Sequence, residues 1–460
     1  IIESFELEIE WVAPAKSSKS LNYAANSVLS SGNWYRFGIQ KSGVVKITYS
    51  DIQSWGYTLS GVDPKKLRVF GQGGGPLPEA NSSDRPDDLV ENAIEVVGGE
   101  DGSFDANDYI LFYALGPESW EYSTRYKKFN RKANPYATSA YYFFTIGDQD
   151  GKRVTTLSAP TSSATKSYTT FMDYTSHEVN LYNLLGTGRT WVGEQFDYST
   201  KQEFSTGVID MVVPSKIRLA SAVTGKSCYV QYFNVFQGST RLLRQAPSPL
   251  NCGSTSLLQL YGTEKLDTTS AVVSSVLDKL TYEYTSSSGT GWLNYFDINY
   301  ERSLKFPGGY MSFRVPASVQ TGQVSRFIIS NANSDLRVWD VTDPAEAGAL
   351  TYSMSGNTLN LDAETSQLRE FVVFSTSNLL RPIPVGRVEN QDLHSMGKVD
   401  YIMISYPGFL SEANRLADFH RSRGLSVAVV TPQQIYNEFS SGAQDVTAIR
   451  DFLRMLYKKS

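Results

Sequence analysis

Apolar and polar residues alternate over much of this chain with a period of two, the spacing of a strand that buries one face. Residues 33–49, NWYRFGIQKSGVVKITY, alternate on both sides of the turn-like QKSG and predict a β-hairpin. DIQSWG then predicts a short helix closed by Gly56. Beyond it, LRVFGQGGGPLPE, LVENAIEVV, the acidic DGSFDAND and YILFYALGP read as strand, Gly/Pro loop, strand, acidic turn and strand. The opening IIESFELEIEWVAP alternates apolar with acidic residues and reads as another strand. It lacks the Met, basic region and apolar core of a signal peptide, which suggests a processed or engineered start. Together these predict a mainly antiparallel β domain over residues 1–165.

The pattern then becomes more uniform. SKIRLASAV, SCYVQYFNVFQG, LTYEYTSSSG, WLNYFDINYERSL, YMSFRVP, SRFIISNA, LRVWDVTDP and REFVVFST are short apolar and aromatic runs split by turn residues. Strands at this spacing predict a β-sandwich or jelly roll over 166–385. The Pro-interrupted NLLRPIPVGRVENQDLHSM has little pattern and marks a linker at 386–397.

From residue 398 the period changes. VDYIMIS is a continuous apolar run, as a strand buried on both faces requires. SEANRLADFHRSRG places Ala413, Leu416, Ala417 and His420 on one helical stripe, with Ser411 positioned to cap and Gly424 to stop the helix. LSVAVVT is a second buried-strand pattern. A last helix starts from Asp445 and carries Val446, Ile449, Phe452, Leu453 and Leu456 as its apolar stripe. Two parallel strands and two helices cannot cover both faces of a sheet, so this β-α-β-α unit predicts the truncated start of an α/β domain whose remaining strands lie beyond Ser460.

Composition sharpens the picture only in places. With 42 Lys and Arg against 47 Asp and Glu, the net charge of −5 gives no reason to expect nucleic acid as a partner. No apolar run approaches the roughly 20 residues of a transmembrane helix. The two cysteines, Cys228 and Cys252, leave two readings open: a disulfide closing the loop between them, or an inert buried thiol at Cys228. The histidines are His177, approaching a strand, His394, in the linker, and His420, packed half-buried on its helix. None is placed to form a dyad with either cysteine.

Other motifs yield little chemistry. GQGGGPLPE lacks the Lys and Ser/Thr of a phosphate loop and, with Pro76 and Pro78 removing amides, reads as a turn between strands. DGSFDAND has Ala106 where a calcium loop needs Gly and Phe112 where it needs Glu. Glu79, Asp84, Asp87, Asp88 and Glu91 form a second acidic loop without ligand spacing, so a structural calcium ion in either loop stays open beside a solvated turn. In GRTWVGEQF, Trp191 reads as buried in the sandwich beside a satisfied pair of Arg189 and Glu194, with an exposed, sugar-binding Trp191 as the alternative.

Several of these segments carry a resemblance. NQDLHSMGKVDYIMIS and FLSEANRLADFHRSRGLSVAVVTPQQIYNEFSSGAQDVTAIRDFLRMLY resemble the start of the gingipain-like cysteine peptidase (caspase/gingipain-like) domain, and within it the sortases of type IX secretion. NWYRFGIQKSGVVKITYSDI, LRVFGQGGGPLPE, DGSFDANDYILFYALGP, NLLGTGRTWVGEQFDY and LNYFDINYERSL resemble the region that precedes that domain, in the same order. The resemblance implies a cell-surface, outer-membrane-associated enzyme that removes C-terminal sorting domains from secreted cargo and attaches the cargo to anionic lipopolysaccharide. It implies attachment-complex proteins as partners and no cofactor. The Cys and His of its active site would lie beyond Ser460, so no catalytic, cofactor or metal residue is carried over here and the chain by itself should be inactive. The alternative is a surface adhesin whose β-sandwich binds glycan or protein without enzyme activity.

Overall fold

The structure, a computed structural model, describes residues 23–186, 190–254 and 260–459. The strand expected at the start of the chain and Arg189 lie outside these residues.

The first domain is built from two antiparallel sheets. One runs in the order Ile383–Val388, Trp34–Ile39, Ala140–Ile146, Leu67–Phe70, Glu91–Asn92; the other in the order Gly43–Thr48, Tyr109–Ala114, Ile94–Val97. Phe37, Val45, Ile47, Phe112, Tyr142 and Phe144 fill the space between them. The predicted hairpin at 33–49 is therefore a corner. Both edges of Trp34–Ile39 are taken, by Ala140–Ile146 and Ile383–Val388, so Gly43–Thr48 turns away and pairs with Tyr109–Ala114. Val44 and Val45 are consecutive and both buried because they point into different cores. Helix α1, Tyr49–Ser54, follows with a capping box of Thr48 and Asp51, and Gly56 beyond its end adopts φ +86°.

The expected sandwich architecture is present, in two copies. In the first, Thr170–Glu178, Thr290–Ser303, Ser215–Lys226 and Thr263–Val273 pack on Lys201–Ser205, Lys279–Ser286, Gln231–Gln237 and Thr240–Gln245, over a core that includes Leu219, Phe233, Tyr282 and Phe296. The second has Phe313, Phe327, Leu361 and Phe371 at its centre and takes strands from both sides of the first, Lys166–Tyr168 before it and Tyr310–Phe313 onward after it. Cys228 and Cys252 are joined in a disulfide, their Cα atoms 5.7 Å apart, so Cys228 is not a buried thiol. The segment expected as a linker is ordered: Ile383–Val388 is a strand of the first domain.

At the carboxy end Tyr401–Ile404 and Val427–Val430 form a two-stranded parallel sheet in the register Tyr401↔Val427. Three helices accompany it: α2, Leu410–Arg421, α3, Pro432–Phe439, and α4, Val446–Lys459. Three expectations change here. The first strand is not buried on both faces, since Tyr401 is exposed and Ile402, Met403 and Ile404 only half-buried. Helix α2 begins one residue before Ser411 and has Phe409 at its N-cap position. On α4 the buried face is Thr447, Ala448, Asp451, Phe452, Met455 and Leu456, while Val446 and Leu453 are exposed. A mixed polar and apolar face is buried because α4 packs partly on its own module and partly on polar groups of the first domain.

Candidate functional site at the junction with the terminal module

Helix α3 went unanticipated, and it brings the central residue of the junction. Thr431 caps it and Gln434 reciprocates, with Pro432 in the first turn. The helix places Glu438 between Ile435 and Phe439 on its buried side. The carboxylate is fully buried and well supplied with donors: Leu393 N and Gln391 Nε2 each donate to Oε1 at 2.8 Å. His394 Nδ1 lies 2.6 Å from Oε2, and its ring stacks on Phe439 at 4.8 Å.

The far side of the imidazole faces the first domain. His394 Nε2 is 3.4 Å from Asp87 Oδ1, an ion-pair distance without a formed hydrogen bond. Asp87 also accepts from Ala24 N at 2.6 Å, and the neighbouring Asp88 accepts from Val28 N at 2.6 Å and Leu89 N at 2.7 Å. Lys459 Nζ at the end of α4 donates to the carbonyls of His394 (2.5 Å) and Ala24 (2.9 Å). Burial alone would push the His394 pKa down, but the carboxylates of Asp87 and Glu438 on either side of the ring outweigh it and raise the value to about 10. Burial also raises Asp88, against the two amides that favour its charged form.

A second set of contacts uses the glycine loop. Gln72 N donates to Ser441 Oγ at 3.0 Å, and Ser441 Oγ donates to Tyr141 O at 2.8 Å. A Cβ at Gly71 would come within 2.9 Å of both Ser441 Oγ and Tyr141 O, at a φ of +133°, so only glycine fits this approach. Leu77 N donates to Asp445 Oδ2 (2.8 Å) while Asp445 Oδ1 caps Thr447 N (2.8 Å). Arg85 pairs with Asp451 at 2.6 Å, and Arg450 donates to the carbonyls of Pro78 and Glu79. The GQGGGPLPE segment is thus a docking edge as well as a connection between strands.

This arrangement is a clamp, not a reactive centre. His394 has no exposed side-chain surface, so it cannot meet a substrate. The other candidates are dispersed. His177 pairs with Glu194 at 2.8 Å and stacks on Phe296, His420 is half-buried against Tyr401, and both cysteines are in the disulfide. Trp191 is 41% exposed, contrary to the buried reading, and Glu194 serves His177. Of the acidic loops, Glu91 pairs with Arg68 and Asp108 accepts from Asp105 N. Among the described residues no three His, Cys, Asp or Glu side chains gather as a metal site. His394, Glu438, Asp445 and Asp451 were not singled out from sequence as interface residues. The one available signal was Glu438, a charge set between two apolar residues of a helical stripe.

The module on this clamp is similar to a recognised class: residues 394–460 match the model of peptidase family C25, and the strand–helix–strand start of the module fits the beginning of a gingipain-like fold. Over nearly its full length the chain is similar to a solved PorU. The dimeric latent PorU of Porphyromonas gingivalis superposes with a TM-score of 0.81 at 25% identity, over 95% of this chain and 40% of that one. The chain therefore spans less than half the length of the PorU it matches. The insecticidal delta-endotoxin Cry8Ea1 of Bacillus thuringiensis, 13% identical over 53% of this chain and 43% of its own, reaches only 0.19 and carries no argument. No curated protein sequence matches the chain significantly.

Proposed function

We propose that this chain is the non-catalytic amino-terminal region of an exported, outer-membrane-associated cysteine peptidase of type IX secretion, a sortase that removes C-terminal sorting domains and joins cargo to anionic lipopolysaccharide. The observation that carries the reading is the agreement with PorU across 95% of the chain. The reactive Cys and His belong to strands after Ser460, and attachment-complex proteins are the partners of the whole enzyme. A thiolate there attacks the scissile carbonyl, the sorting domain leaves, and the thioester passes the new carboxyl end to an amine or to water. Within this scheme 1–165 and the sandwiches of 166–385 support the peptidase module, and 386–397 ties them to it. The clamp around His394 and Glu438 supports that division, because it holds the first turns of the peptidase fold against the first domain. Among the described residues no helix is long and apolar enough to cross a membrane.

The test compares this chain with its parent polypeptide on a cargo bearing a sorting domain. The parent should release the sorting domain and lose that activity on thiol alkylation; residues 1–460 alone should release none. A parent that keeps full activity after its thiols are alkylated would exclude the proposal.

A second reading, a glycan-binding surface β-sandwich without enzyme activity, draws on the exposed Trp191. Binding of the chain on a glycan array, lost in Trp191→Ala, would favour it.

A further inference from the structure

In the first sandwich, the sheet containing Thr290–Ser303 turns Ile298 and Tyr300 into its core, which sends Asn299 to the outer face. A hairpin of the first domain, Glu118–Ser123 with Lys128–Ala133, sits on that face. Phe129 N donates to Asn299 Oδ1 at 2.6 Å, Asn299 Nδ2 donates back to Phe129 O at 3.1 Å, and Trp120 stacks on Tyr174 at 4.3 Å. Next to the anchored hairpin lie two cavities of about 350 and 500 Å³. They share Arg218 and Asn299 and so adjoin as one grooved stretch of the sheet face beside the hairpin.

Five cations line it: Lys127, Lys128 and Arg131 from the hairpin, Lys216 and Arg218 from the sheet. Arg131 is paired with Glu118 and Glu178, whereas the side chains of the other four make no ion pair or hydrogen bond among the described residues. Two carboxylates, Asp297 and Glu301, line the same cavities and are outnumbered by the cations. Glu301 accepts from Thr170 Oγ1 at 2.7 Å, and Asp297, half-buried and with no hydrogen-bond partner at Oδ1, interacts electrostatically with Lys128. In a chain of net charge −5, this is a local excess of unpaired positive charge around a concavity.

The smaller cavity is walled by the last strand of the sheet, Thr263–Val273, whose ladder pairing among the described residues is with Ser215–Lys226 alone. Gln245 Nε2 takes the carbonyl of Lys265, which leaves 266–273 as the free edge. Cross-strand partners share a face, so Ser270 and Val272 lie on the same face as Arg218 and Lys216 opposite them, and Ser270 and Leu266 line the smaller cavity. Leu266 and Val272 are 52% and 74% exposed. Sheet edges of this kind present unpaired amides and carbonyls and are satisfied by an added strand. A saccharide would use the cations but not this edge.

We propose that the groove binds an extended acidic peptide segment of a partner protein, added as a strand along the free edge of Thr263–Val273 with acidic side chains at alternate positions over Lys216 and Arg218. The assignment stands apart from the peptidase reading and needs nothing beyond this chain. The test is fluorescence anisotropy of the full chain with a labelled peptide of alternating glutamate and valine. A lysine–valine peptide and a polygalacturonate oligomer serve as comparisons. The glutamate peptide should bind, weaken as salt rises, and weaken by about tenfold or more in Lys216→Glu/Arg218→Glu. Two versions N-methylated on alternate amides, offset by one residue, should differ: one register abolishes binding and the other keeps it. If circular dichroism shows the sheet variant unfolded, Lys127→Glu/Lys128→Glu on the hairpin is read in its place. Affinity unchanged by charge reversal, equal binding of both N-methylated peptides, or binding of polygalacturonate and not of peptide would each overturn the proposal.

Discussion

His394 Nδ1 and Glu438 Oε2 meet at 2.6 Å where neither side chain has exposed surface, and an ion left alone in such a place carries the full cost of lost hydration. Glu438 also holds the amides of Leu393 and His394, so the pair orders the backbone that enters the module. Replacing His394 by Gln should lower stability by about 3–5 kcal/mol in urea unfolding, and adding Glu438→Gln should restore part of that loss. The pH dependence has a definite sign. With a folded value near 10 against an ordinary 6.5, His394 gains affinity for its proton on folding. Its contribution is complete below pH 6.5 and is lost as pH rises through about 10, so the wild-type chain should lose stability over that interval relative to His394→Gln. A parallel decline of the two proteins would show that His394 is not the titrating group. Little of this was readable at residue scale: His394 lies in a stretch without periodicity, and its partners are 44 and 307 positions away.

Helix α3 was legible and overlooked. Thr431-Pro432-Gln433-Gln434 has the capping residue, the first-turn proline and the reciprocal glutamine in their places, ahead of an apolar run. Thr431→Ala should cost about 1 kcal/mol of stability, measured by thermal unfolding, with Thr431→Ser close to neutral. Helix α4 makes the complementary point. Periodicity identified the helix, yet not the face it buries, because Thr447 and Asp451 are buried by polar partners that lie elsewhere in the chain. The strands at 34–39 and 43–48 behave alike: local alternation predicted both, and only competition for the two edges of the first decided that they would not pair.

Across the whole molecule, the contacts from Arg85, Leu77 and Gln72 to Asp451, Asp445 and Ser441 make the first domain the support on which α3 and α4 are built. Arg85 and Asp451 are both largely buried, so Arg85→Ala leaves a carboxylate with little water around it. The variant should weaken the docking of the module by about 3 kcal/mol. Hydrogen exchange should therefore quicken in α4 while the strand Thr290–Ser303 is unchanged. Equal acceleration in both would mean that Arg85 supports the fold as a whole rather than the junction.

The sequence by itself determined the classes of element and their order: period-two strands through the first 385 residues, then a switch to buried parallel strands and amphipathic helices. These follow from side-chain spacing, which neighbours in the chain set. Tertiary structure decided which strands share a sheet, that two sandwiches form with the first inserted among the strands of the second, and that a polar loop and an unpatterned segment close around His394. Those outcomes depend on which edges, carboxylates and amides remain unsatisfied once the chain has collapsed, and that is settled between residues hundreds of positions apart.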